Sequence, residues 1–210
     1  MRITRDQWKL KTLFAGVATA LIAFAVTTAH AQSASARLAT ERVRSALERM
    51  SNYGVFDFVA FEMDDRSVTL HGYAYSGTLK SDATRAVKEA GIVSEIGNNI
   101  EIGNNIEMLP ASQNDDRIRW GTFYRIYTDP FLSRYAPGGA LNARHEAIRM
   151  SRSPGLQPLG RYPIHIVVKG GRTTLVGAVD NESDRVVAEM RAREIPGVFE
   201  VRNELEVLSD

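Results

Sequence analysis

Val68-Thr69-Leu70-His71-Gly72 returns 105 residues later as Thr173-Thr174-Leu175-Val176-Gly177. The same offset aligns residues 59–102 with 164–207 without a gap. Ala83, Glu95, Asn98 and Glu101 then fall on Ala188, Glu200, Asn203 and Glu206. Val59, Phe61 and Met63 alternate with other residues, as do Ile164, Ile166 and Val168, and this period of two marks half-buried strands. A turn follows each, Asp64-Asp65-Arg66 in one copy and Lys169-Gly170-Gly171 in the other. The second strand comes next, over 68–74 and 173–179, with Gly72 and Gly177 where a side chain would obstruct packing. Leu79, Ala83, Val87 and Ala90 predict a helix, as do Val186, Val187, Met190 and Ile195, which Pro196-Gly197 ends. A third strand closes each unit, over 93–101 and 198–208.

A helix precedes each unit, with Leu38, Val43, Ala46, Leu47 and Met50 inward in the first and Ile118, Thr122 and Ile126 in the second. The order is helix, strand, strand, helix, strand, twice. A three-stranded sheet of this size buries one face under its two helices. The fold class is therefore α+β, with two α-β-β-α-β domains at 35–109 and 117–208, joined by a polar linker at 110–116.

This order, with the Thr-Leu-x-Gly strand and the closing run Pro196-Gly197-Val198-Phe199-Glu200-Val201-Arg202-Asn203-Glu204-Leu205, resembles the BON domain family. The first copy matches that ending as Ile92-Val93-Ser94-Glu95-Ile96-Gly97-Asn98-Asn99-Ile100 and lacks the Pro. The resemblance covers both repeats and implies a non-catalytic, envelope-associated module linked to phospholipid interaction and osmotic-stress protection.

The N-terminus reads as an export signal. Arg2, Arg5, Lys9 and Lys11 precede an uncharged apolar stretch over 13–26, and Ala29-His30-Ala31 supplies the small-x-small pattern for cleavage. An uncleaved anchor is the alternative, although the stretch is shorter than the roughly 20 residues of a membrane span. Cleavage after Ala31 removes four basic residues and one acidic one, lowering the formal charge from +1 to −2. The expected location is periplasmic, at the periphery of a membrane. With 0 Cys, the chain has no disulfide, no thiolate metal site and no Cys for acylation.

The two copies differ in three ways. Glu95-Ile96-Gly97-Asn98-Asn99-Ile100 is repeated at once as residues 101–106. Either copy can continue the closing strand, because a six-residue slip preserves the alternation of faces. The second unit also carries an insertion near 134–162. Between Phe131 and Pro163 it holds Arg134, Arg144, Arg149, Arg152 and Arg161 against Glu146 alone, with a short helix expected over 140–150. Such a basic segment suits an anionic lipid surface, and a solvated loop covering a sheet edge is the alternative.

Finally, the helix beginning at Arg117 has Trp120, Phe123, Tyr124 and Tyr127 opposite its core side, whereas the first unit's helix has Arg37, Glu41, Arg44 and Glu48 there. A helix apolar on two sides must bury the second. Docking on the other repeat, covering by the insertion, and exposure to lipid or a partner compete for it. Trp120, Tyr124 and Tyr127, with Arg119, Arg125, Arg144 and Arg149, are the candidate lipid- or partner-binding residues.

The expected partners are an anionic phospholipid surface or, alternatively, client proteins of a periplasmic chaperone or adaptor that uses the same face or a sheet edge. No motif points to nucleic acid, a cofactor or a catalytic constellation. His71, His145 and His165 lack metal-ligand spacing.

Overall fold

The computed structural model describes residues 34–64, 67–92, 101–150 and 157–208. The expected export signal, the first hexapeptide copy and Arg152 lie outside the described residues. The first unit comprises α1 (34–48), β1 (Phe58–Asp64), β2 (Ser67–Ala74), α2 (Leu79–Glu89) and β3 (Glu101–Met108). The second comprises α3 (Gln113–Tyr127), a 3-10 turn (Ser133–Tyr135), α4 (Gly139–Met150), β4 (Ile164–Lys169), β5 (Arg172–Val179), α5 (Glu182–Arg193) and β6 (Glu200–Val207). The fold is α+β, with two three-stranded sheets of identical topology. In each, an antiparallel hairpin is followed by a third strand parallel to the middle one.

Both repeat glycines hold left-handed backbone, φ 132° at Gly72 and 128° at Gly177. A Cβ there would lie 2.0 Å from the carbonyl oxygen of Phe58 or Pro163. The strand therefore approaches its neighbour too closely for any other residue.

The closing strand of the first unit departs from the ungapped alignment. Leu175 pairs with Asn203, but Leu70 pairs with Asn104 and not with Asn98. The second hexapeptide copy thus takes the place expected for the first. Asn104 performs the task of Asn203. Its Nδ2 donates to the Lys80 carbonyl at 2.7 Å, as that of Asn203 donates to the Arg185 carbonyl at 2.8 Å. Each asparagine fastens the last strand to the second helix.

Helix α5 also differs from expectation. It buries Ala188 and Ala192 and leaves Val186 and Met190 exposed, because the small residues let it lie close on the sheet. In α1 the buried residues are Ala39, Val43 and Leu47, while Leu38 is exposed. The core of the second unit extends beyond its own sequence: Val55 and Phe56, from the connection between α1 and β1, are fully buried in it.

Candidate functional site

The connection 53–57 touches the outer edge of β4 at Ile166 and bridges to Leu159 through Gly54. The Ile166 N–H donates to the Val55 carbonyl at 2.8 Å, and the Val55 N–H donates to the Pro158 carbonyl at 3.1 Å. Phe56 then enters the second core, edge-on to Trp120 with ring centres 5.0 Å apart and to Tyr75 at 5.6 Å. The buried Asp57 carboxylate fixes the segment. It accepts from the Tyr75 N–H at 2.7 Å, the Ser76 N–H and Gly54 N–H at 3.1 Å, and the Gln157 amide. Burial pushes its carboxyl above the ordinary aspartate range, and these donors oppose that shift. Gln157, from the insertion, also accepts from the Phe56 N–H at 2.9 Å.

Docking against this segment and the insertion decides the fate of the aromatic helix face. Trp120 is half-buried against Phe56 and Phe123. Tyr127 is fully buried, with its ring 5.3 Å from that of Tyr162, and its hydroxyl donates to the Ile164 carbonyl at 2.6 Å. Desolvation holds that hydroxyl well above its usual pKa. Arg119 is also fully buried, held by Asp116 at 2.6 Å and by the Val168 carbonyl at 2.6 Å, with its guanidinium 4.7 Å from the centre of the Tyr75 ring. Trp120 and Arg119 therefore meet rings of the first unit, Tyr127 and Arg119 offer no outward surface for a bilayer, and Trp120 keeps only part of its surface outward. For Arg119 and Tyr127 the expected role as a lipid contact does not fit these buried positions, because a charge or hydroxyl spent on the β4 edge is unavailable to headgroups.

Tyr124 (40 % exposed) and Arg125 remain outside, Arg125 lying 3.4 Å from Glu194. Arg144 is exposed on α4, away from them in the chain, and the side chain of Arg149 lies outside the described residues. Helix α4 buries Ala143, while Leu141 and Ile148, seven residues apart and hence on one face, are 71 % and 56 % exposed. Arg144 and His145 lie between them, both exposed.

Unit one has an open groove of about 750 Å3 where unit two is filled. Its walls are Thr40, Arg44 and Glu48 of α1 and Val59, Phe61 and Met63 of β1, with Arg161 and His165 at the far side. The His165 ring stacks on Tyr53 at 5.2 Å and meets the edge of Phe58 at 5.8 Å. Burial drives its pKa down to about 4, and the backbone of Asp57 and Gly54 opposes the shift. Its Nδ1 is buried without a hydrogen-bond partner. Asp57, Gln157 and Phe56 were not expected at any site. The only signal for them is Val55-Phe56, an apolar pair outside the repeat with no place in the first core.

Among the described residues, no group of three or more His, Asp or Glu side chains is placed to hold a metal ion, and no helix is long and apolar enough to cross a membrane.

No curated protein matches the chain. Two solved structures of CdsD, a structural protein of the type III secretion system of Chlamydia trachomatis, show a distant likeness. One, of the C-terminal domain, is 14 % identical over 73 % of this chain and 91 % of its own, with a TM-score of 0.20. The other is 14 % identical over 80 % and 91 %, with a TM-score of 0.23. The family comparison is local and coincides with the second sheet, α5 and the end of α4: residues 149–209 match the model of the BON domain.

Proposed function

We propose that this chain is a non-catalytic, exported protein that rests peripherally on anionic phospholipid in the periplasm and supports the envelope under osmotic stress. The observation that carries the reading is the outer face of α4. Leu141 and Ile148 stand exposed on one face, with Arg144 between them, and Phe131 is 64 % exposed nearby in sequence. A helix of this kind lies in the plane of an interface, its apolar side chains at the acyl boundary and its cations among the phosphates. Each basic residue near an anionic surface contributes about 1 kcal/mol, and salt screens that attraction. The BON match over 149–209 and the N-terminal export pattern agree with it. Tyr124 and Arg125 are the exposed members of the aromatic helix that can still take part.

Co-sedimentation with vesicles of phosphatidylglycerol and phosphatidylcholine tests the reading. The wild-type chain is expected to pellet with anionic vesicles at low salt and to be released as salt rises. Leu141→Glu/Ile148→Glu is expected to stay in the supernatant with its melting temperature unchanged, since neither side chain is in the core. Equal pelleting of the variant and the wild type refutes the α4 contact.

A further inference from the structure

The outer edge of β4 is partnered at each of its outward-facing residues. In an antiparallel pair, alternate residues turn their N–H and C=O away from the partner strand. On β4 these are Ile164, Ile166 and Val168. The Tyr127 hydroxyl takes the carbonyl of Ile164, the Val55 carbonyl takes the N–H of Ile166, and the Arg119 guanidinium takes the carbonyl of Val168 at 2.6 Å. The repeat makes Val59, Phe61 and Met63 of β1 the counterparts of these residues, and β1 likewise stands at the edge of its sheet.

Their surroundings differ in one respect. Val43 and Leu47 occupy on α1 the inward places that Thr122 and Ile126 hold on α3, so Thr40, Arg44 and Glu48 answer to Arg119, Phe123 and Tyr127. The Thr40 hydroxyl meets Met63 Sδ at 3.8 Å, as Arg119 meets the carbonyl of Val168. Replacing guanidinium, phenyl and phenol by these side chains empties the space between helix and strand, leaving the groove of about 750 Å3. The Tyr53 hydroxyl, 3.2 Å from the Val59 N–H, covers only the first position of the edge. Leu47, Phe61 and Met63 give the groove apolar surface, and Arg44 and Arg161 carry the charge of Glu41 and Glu48 as ion pairs.

We propose that this groove is a strand-acceptor site for an extended segment of another protein, which adds to the β1 edge and seats a large apolar side chain against α1. A segment of the first unit already meets the edge of the second in part, the Val55 carbonyl accepting from the Ile166 N–H while Phe56 is seated in the core. Main-chain pairing supplies affinity in this mode, and the pocket beside the edge selects the side chain. The rim charges are mutually paired, so the expected occupant is apolar and uncharged at its centre. The proposal stands apart from the lipid contact of α4.

A fluorescent peptide copying residues 51–58 serves as the probe with the full chain. Anisotropy is expected to report saturable binding that persists at high salt, with new hydrogen-exchange protection at 60–63. Thr40→Arg/Arg44→Phe/Glu48→Tyr, which installs the filling of the second unit, is expected to weaken binding by about tenfold or more while keeping or raising the melting temperature. Phe61→Pro, which removes an outward N–H at an edge position where proline is tolerated, is expected to weaken it similarly. Undiminished binding by the folded triple variant, protection at β4 in place of β1, or no binding by the wild type overturns the proposal. So does a groove that takes only an acyl chain or a second copy of this protein, seen as detergent binding or concentration-dependent dimerisation lost in the triple variant without any peptide binding.

Discussion

His165 occupies a strand position whose repeat counterpart is the small Ala60, yet it is nine-tenths or more buried between Tyr53 and Phe58. A buried imidazole is favoured in its neutral form, so its pKa falls to about 4 in the folded chain from 6.5 unfolded. The folded state then binds fewer protons than the unfolded one between those values. Its contribution is therefore complete above pH 6.5 and lost progressively as pH falls toward 4. A shift of this size corresponds to about 3 kcal/mol. Asp57, buried in the same junction, acts in the opposite sense. Its raised carboxyl pKa favours the folded state in acid and disfavours it once the carboxylate ionises. Urea unfolding at steps between pH 7.5 and 4.5 is expected to show a midpoint that declines with acid. His165→Gln is expected to flatten that decline. A wild-type midpoint that stays constant across this range contradicts a neutral, buried His165.

At the scale of elements, β3 shows how a duplicated hexapeptide is accommodated. The connection from α2 to β3 spans residues 90–100, and that from α5 to β6 spans 194–199. Deleting residues 95–100 or 101–106 yields the same chain, and the one remaining asparagine pair reaches the Leu70 register. The deletion chain is expected to keep its far-ultraviolet spectrum and to melt within a few degrees of the wild type. Collapse of the spectrum would assign the extra six residues a structural task. Alternation and glycine placement made the strands and their order legible in the sequence, because residues two apart share a face and Gly72 and Gly177 mark one close approach. The choice between hexapeptides was not legible, since both present the same faces. Nor was the inward face of α5, where Ala188 and Ala192 outcompete Val186 and Met190 through close approach and not through hydrophobicity. Of the candidate site, the need to cover Trp120 and Tyr127 was readable from α3 alone. The identity of the cover was not, because Phe56 lies more than sixty residues away and outside the repeat.

Across the whole molecule, that cover joins the units. Phe56 belongs by chain position to the first unit and by packing to the second, and Asp57 and Gln157 hold it from both sides. Truncating a buried phenylalanine costs about 3–5 kcal/mol. Phe56→Ala is expected to impose that loss and to place it in an unusual pattern. Hydrogen-exchange protection should fall across α3, β4 and β5, whose edge and core the residue completes. It should change less in β2 and β3, whose core is built from Val68, Leu70, Leu79, Val87 and Ile106. Trp120 supplies an independent optical probe, because its ring meets Phe56 edge-on. With residues 1–31 removed it is the sole tryptophan, the other being Trp8. Its emission is expected to move to longer wavelength in Phe56→Ala as water reaches the indole. Loss of protection confined to β1 and β2, next to Phe56 in sequence, would show that the residue serves its own unit. Loss in the second unit shows that the connection between α1 and β1 is a structural part of the neighbouring fold, so the two repeats act as one body and the groove of the first is presented on a rigid frame.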